Sequence, residues 1–425
     1  MEANAYRKTT LPNGLRVLTA PMPHTSSVAV SIYLGAGSRY ETKAQAGLSH
    51  FIEHLCFKGT EHRPTPQEVF QVIDSVGGTI NAATDRELTV FDCKVARPHF
   101  QLALDVLADL IRRPLFAPDQ LEMERRVIME ELAMVADSPA QQVDVLLDET
   151  LWPEQPLGRE VAGSEATVSA LSREMAIDYL HRQYVPNNTV ISIAGATDHQ
   201  EAVDLVEAAL GDWPRGVPSG WFPAVNGQRA PRAAVKHKTT EQAHLSLAVR
   251  ALPLRHPDRY ALSLLSVILG EGMSSRLTLE LRERRGLCYD VHSYVSYFQD
   301  AGAFAIYAGV DPTNARETLS ALLAELARLR DEPVPEEELA RAKELAKGRL
   351  LLRMEDTRAV SDWLGAQELL AGRLRTVDEV AALIDAVTSE DLRRVAGQLI
   401  VSDQLNLAIV GPFRSDRRFL SLLHL

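Results

Sequence analysis

The sequence predicts an α+β protein built from two homologous domains, each with a mostly antiparallel or mixed sheet and helices packed on one face. Two observations support this fold class. Elements of the first half recur in the same order in the second half, and strand and helix patterns alternate with short, hairpin-like connections. Several strands are half-polar, which favours such a sheet over a doubly wound parallel one.

The clearest internal match joins segment 171–195 to segment 387–411 at one constant offset. Ser172 and Thr388 stand near the start of these segments as predicted helix N-caps. An apolar helical pattern follows each cap, and each segment then continues into a strand that ends at a glycine. Because cap, helix and strand recur in one order, the match indicates a duplication.

The preceding elements of the two halves correspond in the same way. A strand predicted over 91–95 alternates in polarity and precedes a helix over 100–111. In the second half, an alternating strand over 304–310 precedes a helix over 319–326. Each helix is followed by a break that contains proline and then by a second, charged helix, so the shared order extends over most of each half.

The segment between the halves is dense in glycine and proline and shows no periodicity, as expected for an interdomain linker. We therefore predict an N-terminal domain over 1–215 that carries a metal site, a linker over 216–232, and a C-terminal homologous domain over 233–425 without metal ligands. A chain of 425 residues is long enough for two separate cores.

Composition excludes several classes of function. The chain is 46% apolar with a net charge of −12 and has no block of lysine and arginine, which excludes nucleic acid or an anionic membrane surface as partner. Its three isolated cysteines favour a reducing compartment. We find neither an apolar leader nor a stretch near the roughly 20 apolar residues that a membrane helix needs. A cytoplasmic protein is expected.

Residues 50–54 form an H-x-x-E-H motif on a predicted helix. His50 and His54 lie one turn apart on one face, so both imidazoles can bind one ion. Glu53 lies about 60° round from His50, where it reaches a metal-bound water but is not an obvious third ligand. This order is the inverted motif of certain zinc peptidases. The alternative is a helix with two surface histidines beside an acid.

A third ligand is needed for catalytic zinc. The predicted helix over 122–132 offers Glu124 and Glu131 on one face, about 10 Å apart along its axis. One can bind the ion directly while the other supports it, and residue chemistry does not choose between them. The corresponding positions of the second half hold Ala342 and Arg349. Ligands in one half only favour a functional site over a structural one.

On these motifs the sequence resembles the inverted-zincin peptidases: pitrilysin, insulysin and the mitochondrial processing peptidases, most closely their short bacterial members. The resemblance implies a zinc-dependent endopeptidase, with one Zn²⁺ per chain, that cleaves peptides or unfolded segments in an enclosed chamber. It extends along nearly the whole chain through the motifs LPNGLRV, AGLSHFIEHLCFKGT, GGTINAATDRELT, ERRVIMEEL, PLGREVAGSE and GEGMSSRLTLELRERRGLCY.

The resemblance implies roles for individual residues of the first half. Glu131 matches the third zinc ligand, and Glu124 matches its supporting carboxylate. Glu53 becomes the general base that takes a proton from a zinc-activated water. Asn81 and Ala82 match a pair on an edge strand whose backbone binds the substrate as an added strand.

The second half contributes Arg282 and Tyr289, which match an Arg/Tyr pair that contacts the substrate backbone and the oxyanion near the scissile bond. Without the resemblance, Arg282 would be interpreted as an exposed helix charge and Tyr289 as a core aromatic. Two positions depart from the family. Ala83 replaces an aromatic that is common in relatives, and Cys56 is interpreted as a packing residue rather than a ligand.

The short relatives assemble as dimers, so that four domains enclose a chamber. Because the metal motif and the Arg/Tyr pair occur in one chain, we expect a self-sufficient homodimer. Two alternatives stay open. The chain could be a non-catalytic structural or partner subunit of a processing-peptidase-like complex, although such subunits typically have broken metal motifs. It could also be a catalytic subunit that needs a different partner chain.

Overall fold

Eleven strands in two sheets form the frame of the structure, a computed structural model that describes residues 6–425. Residues 1–5, part of the N-terminal segment in which no leader is predicted, lie outside the described residues. The strands are β1 (Arg7–Thr10), β2 (Arg16–Pro21), β3 (Ser27–Leu34), β4 (Thr79–Thr84), β5 (Thr89–Ala96), β6 (Thr189–Gly195), β7 (Arg232–His237), β8 (Ala243–Ala251), β9 (Cys288–Tyr297), β10 (Gly302–Val310) and β11 (Asn406–Gly411).

Fifteen α-helices accompany the strands within residues 6–425. The side chains of Ser172 and Thr388 accept hydrogen bonds from the backbone of the first helical turn, which confirms both predicted N-caps. No helix of this part of the chain is both long and apolar enough to cross a membrane. The helices are α1 (Leu48–Cys56), α2 (Pro66–Asp74), α3 (Phe100–Arg112), α4 (Pro118–Asp137), α5 (Pro139–Leu151), α6 (Glu165–Ala170), α7 (Arg173–Gln183), α8 (His199–Leu210), α9 (Arg259–Gly270), α10 (Ala315–Asp331), α11 (Glu336–Arg353), α12 (Thr357–Ala366), α13 (Val377–Asp385), α14 (Ser389–Leu399) and α15 (Arg417–Leu420).

The elements group into two compact units, each with an apolar core of its own. The first unit contains the six-stranded sheet and the second the five-stranded sheet. The first unit comprises the residues up to Leu132, Glu160–Phe222 and Leu351–Val377, and the second comprises Ala133–Arg159, Pro223–Leu350 and Asp378–Leu425.

In the first unit the strands run in the order β1-β2-β6-β3-β5-β4, with β2 and β6 parallel and all other neighbours antiparallel. Along β3, Val30 and Ile32 face the main core together with α1, α3, α7 and α8. The alternate residues of β3 face α12, where the Tyr33 hydroxyl donates to Asp362 at 2.7 Å. The sheet is therefore covered on both faces, and β4 forms one of its edges.

In the second unit the order is β7-β11-β8-β10-β9, with β7 and β11 parallel. Helix α5 packs Val143 and Leu147 against Ala248, Ala305 and Ala408 on one face of this sheet. Helices α9, α10 and α14 pack against one another and against β8 and β9. The neighbours of Ala248 in β8 are buried leucine and valine, so the opposite face of the strand is apolar as well.

The predicted fold class is confirmed: both sheets are mixed and both carry packed helices. The structure adds that a helix from the other half of the sequence covers the second face of each sheet. Helix α5 precedes the predicted linker yet belongs to the second unit, and α12 follows the linker yet belongs to the first. The units therefore differ from the predicted limits 1–215 and 233–425 by these exchanges. Residues 216–229 of the predicted linker carry no helix or strand.

Candidate metal centre

Helix α1 is held at its N-terminus by a buried acid that the sequence motifs do not reveal. Glu41 accepts hydrogen bonds from the backbone N–H of Gly47 at 2.9 Å and of Ser49 at 2.6 Å. Gly47 has a φ of +94°, and a Cβ there would lie 2.6 Å from the carbonyl oxygen of Ala162, so this position requires glycine. The buried side of the helix carries Phe51, Ile52, Leu55 and Cys56. These contacts fix the helix that bears the H-x-x-E-H motif.

Three side chains converge between α1 and α4. Nε2 of His50 lies 3.8 Å from Oε2 of Glu131, and Nε2 of His54 lies 3.7 Å from the same oxygen. Two ligands of a tetrahedral zinc ion, each about 2.0–2.1 Å from the metal, are about 3.4 Å apart. Two imidazoles with one carboxylate are also a donor set of catalytic zinc sites. The three residues thus fit zinc, and no other group of this kind occurs within residues 6–425.

The geometry separates the two carboxylates that residue chemistry leaves equivalent. Glu131 is 39% exposed and faces both imidazoles. Glu124 is 2% exposed and lies behind His54, where it is 3.0 Å from Nδ1 of the imidazole and 2.8 Å from Nζ of Lys58. When Nδ1–H donates to Glu124, the lone pair of Nε2 stays available for a metal ion.

The environment shifts the pKa values of the three residues of the motif. Burial lowers the pKa of His50 to about 4, and the neighbouring His54 acts in the same direction. Burial also acts to lower the pKa of His54, but the hydrogen bond to Glu124 and the nearby carboxylates outweigh it and raise the pKa. Burial raises the pKa of Glu53, and a hydrogen bond from Thr84 partly opposes this. His50 is therefore neutral near pH 7, as a metal ligand must be.

The carboxylate of Glu53 meets the last residue of β4. Oγ1 of Thr84 donates a hydrogen bond to Oε2 of Glu53 at 2.6 Å. Thr84 is not among the residues predicted from the sequence, because the contact joins positions 31 residues apart on a helix and a strand. No local pattern marks such a contact; only the pairing of the two elements creates it.

Strand β4 carries Asn81 and Ala82 at an edge of its sheet. The backbone N–H of Asp85 donates to the carbonyl of Leu88 at 2.9 Å, which sets the alternation of the ladder between β4 and β5. In an antiparallel pair the hydrogen-bonded positions recur at every second residue, so counting back from Asp85 they include Asn81. The N–H and C=O of Ala82 therefore point away from β5 toward the open edge.

Arg282 and Tyr289 lie together in the second unit. Arg282 belongs to a π-helical turn over Thr278–Arg284, and Tyr289 lies at the start of β9. The guanidinium carbon is 5.1 Å from the centroid of the tyrosine ring, a cation–π distance. Tyr289 is 78% exposed, so the alternative interpretation of this residue as a core aromatic is wrong.

The cysteines stay apart from the metal group. All three are free and buried. Cys56 is completely buried on the core side of α1, and burial raises the pKa of its thiol well above the usual value. A thiol in that state is neither a nucleophile nor a metal ligand. Its place in the core agrees with the packing role expected from the sequence.

Comparison with known proteins identifies the family. The family described as Insulinase (Peptidase family M16) matches residues 16–165, and the one described as Peptidase M16 inactive domain matches residues 170–345. An uncharacterized zinc protease of Streptomyces coelicolor is 36% identical over 97% of this chain and 90% of its own length. The chain belongs to peptidase family M16. Another M16 relative, an uncharacterized zinc protease of Bacillus subtilis, is 35% identical over 96% of this chain and 98% of its own length.

Solved structures share the fold of this chain over nearly its whole length. A protease from Helicobacter pylori superimposes with a TM-score of 0.91 at 23% identity and covers 96% of this chain and 100% of its own. A Pseudomonas fluorescens structure titled as a peptidase M16 inactive domain gives 0.89 at 19% identity, covering 96% and 99%. A chain of complex III2 from Candida albicans gives 0.84 at 22% identity, covering 99% and 100%. These structures show the shared fold, and the family matches and the sequence relatives confirm the resemblance inferred from the motifs.

Proposed function

We propose that this M16 protein is a zinc-dependent endopeptidase. One observation carries the proposal: two imidazoles and a carboxylate converge within zinc-ligand distances, with a further carboxylate, that of Glu53, beside them. His50, His54 and Glu131 would hold one Zn²⁺ per chain. A donor set with three protein ligands leaves a coordination position open, as catalysis requires.

A zinc ion held there would supply Lewis-acid chemistry, which lowers the pKa of water and polarises a peptide carbonyl group. Glu53 would accept a proton from the attacking water on its carboxylate and deliver it to the amide nitrogen of the leaving group. Glu124 holds the ring of His54 in the orientation that directs Nε2 at the metal.

The substrate is a peptide or an unfolded segment. An extended chain can pair with the open edge of β4, where the backbone groups of Ala82 are directed and where Asn81 exposes its side chain. Pairing at a sheet edge uses the backbone N–H and C=O groups of the substrate. Extended substrates have these groups available, so they are favoured over folded ones. Arg282 and Tyr289 take the roles that their family pattern implies: contact with the substrate backbone and stabilisation of the oxyanion.

The decisive test compares two variants of the motif. Glu53→Gln should bind zinc as the wild type does and lose cleavage of a quenched, unstructured peptide, because the ligands remain and the proton acceptor is gone. His50→Ala should lose zinc and cleavage together. Glu122→Gln, at an exposed position of α4, is the matched control and should retain both. Full cleavage by Glu53→Gln would refute the assignment.

Assembly and location extend the proposal. Because one chain carries both the metal group and the Arg/Tyr pair, the active form is a homodimer that needs no second kind of subunit. Free, buried cysteines suit the reducing cytoplasm. Sedimentation of the purified chain should give a dimer that cleaves the peptide without other proteins, and an active monomer would contradict the homodimer. A chain that binds no zinc and cleaves nothing would instead favour the non-catalytic subunit, and a zinc-loaded chain that cleaves nothing would favour a catalytic subunit that needs a different partner chain.

A further inference from the structure

The hydroxyl of Thr84 is the feature of the centre that neither the motifs nor the family match assigns. Within residues 6–425, Thr84 is the one residue whose side chain donates a hydrogen bond to the carboxylate of Glu53. At 2.6 Å, this is a short, charge-assisted contact. The backbone N–H of Thr84 also acts on this carboxylate. Glutamate has three side-chain torsions, so loss of the hydroxyl would leave a weaker constraint and allow the carboxylate to sample more positions.

Thr84 is well suited to fix another side chain because its own conformation is restricted. Threonine is β-branched and stiff about χ1. Its backbone pairs with Thr89 at the end of the β4–β5 ladder. Every second residue of a strand lies on the same face, so Ile80, Ala82 and Thr84 share the face of β4 that packs toward α1. The pleat of the strand therefore directs the Thr84 hydroxyl toward the helix.

The turn that follows Thr84 is clamped from outside the hairpin. The backbone N–H of Ser38 and of Arg39 donate to the carbonyl oxygens of Asp85 and Arg86. The fully buried guanidinium of Arg39 also pairs with the carboxylate of Glu87 at the tip of the turn. A buried, hydrogen-bonded ion pair of this kind defines one conformation of the turn. The end of β4 is thereby held in place relative to the sheet.

We propose that Thr84 is a positioning residue for Glu53. Strand β4 thereby fixes the position of this carboxylate relative to a substrate backbone bound at the edge of the same strand. The inference rests on the proposed function. Ala82 and Thr84 are two residues apart on one strand, about 7 Å along its axis. A peptide paired with Ala82 and the Glu53 carboxylate bonded to Thr84 are therefore both positioned by β4. This common support fixes the distance between the base and the scissile bond.

The test replaces the hydroxyl without changing the shape of the side chain. Thr84→Val keeps the β-branch and removes the donor, whereas Thr84→Ser keeps the donor. Thr10→Val, on the opposite edge strand β1 of the same sheet, is the matched control. Each variant is compared with the wild type for zinc content, thermal unfolding, kcat and KM on an unstructured peptide, and the Glu53 side chain in crystal structures.

For Thr84→Val we expect kcat to fall about 10- to 100-fold, with KM, zinc content and thermal unfolding close to the wild type. Its crystal structure should show Glu53 displaced or in more than one conformer. Thr84→Ser should restore most of kcat and the single conformer, and Thr10→Val should match the wild type. A purely structural role of Thr84 would instead lower thermal stability or zinc content and leave kcat per zinc-loaded chain unchanged.

Three outcomes would overturn the inference: wild-type kcat in Thr84→Val, loss of zinc from that variant, or an undisturbed Glu53 in its crystal structure. Failure of the proposed function is distinguishable from these. If the zinc-loaded wild type cleaves no peptide, the endopeptidase assignment fails. The positioning of Glu53 by Thr84 is then decided by the crystal structures of the valine and serine variants alone.

Discussion

The carboxylate of Glu124 lies between two partners, the His54 imidazole and the Lys58 ammonium group. Glu124 is buried, and a buried carboxylate is stable only when it is paired and hydrogen-bonded. Lys58 and the His54 imidazole supply those partners at 2.8 and 3.0 Å and hold the pKa of the Glu124 carboxyl below its usual range, although burial acts to raise it. The anionic carboxylate then fixes the tautomer and orientation of His54.

This arrangement predicts the effect of neutralising Glu124. Glu124→Gln keeps an oxygen near Nδ1 of His54 but removes the charge, so zinc affinity should fall about 10- to 100-fold. Competition with a chromophoric chelator measures this directly. Glu122→Gln removes a charge from an exposed position of the same helix and should leave the affinity unchanged. Wild-type affinity in Glu124→Gln would show that the carboxylate does not support the ligand.

Asp92 on β5 predicts a pH dependence of stability. Burial raises the pKa of this carboxyl to about 6, Arg358 opposes the shift, and the charge of Asp362 adds to it. The folded protein therefore binds more protons at this site than the unfolded chain between about pH 4 and 6, so its contribution to stability is lost as pH rises through that window.

Replacement by a neutral isostere removes this dependence. The melting temperature of Asp92→Asn, relative to the wild type, should rise between about pH 4 and 6 and then stay constant, because the amide carries no charge at any pH. Asp204→Asn, at an exposed position of α8, should show no such trend. Parallel melting curves of Asp92→Asn and wild type across this range would contradict the prediction.

The residues of the site divide by how their contacts arise. His50, Glu53 and His54 follow from helical periodicity, and Glu124 and Glu131 from their common helix face. Spacing alone left the choice between those two open; the family resemblance favoured Glu131 as the ligand, and the packing of α1 against α4 places Glu131 beside both imidazoles. Thr84 and Glu41 could not be predicted at all, since their contacts with α1 depend on where a strand and a loop meet the helix. Sequence spacing predicts contacts within an element, not between elements.

At the scale of elements, the second unit has a salt bridge at the position that corresponds to Glu131 in the first unit. Ser266 of α9 donates to one carboxylate oxygen of Glu271 at 2.9 Å, and Arg349 of α11 donates to the other at 2.8 Å. Arg349 corresponds to Glu131 in the alignment of the two halves. A guanidinium has no lone pair to donate to a metal ion, so the second unit has no counterpart of the Glu131 carboxylate.

The exchanged helix α12 packs through a position that admits no side chain. A Cβ on Gly365 would lie 2.3–2.4 Å from the ring of Tyr33, so Gly365→Ala should destabilise the protein by about 1–2 kcal/mol despite the higher helix propensity of alanine. Gly348→Ala, inside α11 with no atom within 4 Å of the added Cβ, should stabilise by up to about 1 kcal/mol. Thermal melts that rank the two variants in the opposite order would contradict this packing.

The exchange of α5 and α12 between the units is a feature that sequence patterns do not predict. The largely apolar sequences of β3 and β8 indicate strands that are buried on both faces, and the spacing of apolar residues over 139–151 indicates an amphipathic helix. Neither pattern says which helix covers which sheet. That choice depends on contacts between segments far apart in the chain, so the fold class was predictable and the pairing of α5 and α12 with their sheets was not.

At the scale of the whole molecule, the two units have separate apolar cores, and all three metal-binding candidates belong to the first. A ligand that binds only the native state stabilises it by an amount that grows with its concentration over Kd, about 4 kcal/mol at a thousandfold excess. A zinc ion held by His50, His54 and Glu131 would join α1 to α4, two elements that are distant in sequence. Its stabilisation should therefore act first on the first unit, which contains α1 and the part of α4 that carries Glu131.

Removal of zinc by a chelator should lower the melting temperature of the wild type and of Glu53→Gln by several degrees, and addition of zinc should restore it. His50→Ala should not respond, because it lacks a ligand. Hydrogen exchange locates the effect: zinc should protect the amides of α1 and α4 and leave those of β8 and β10 unchanged. Equal protection of β8 and β10 would show that the two units open as one cooperative structure.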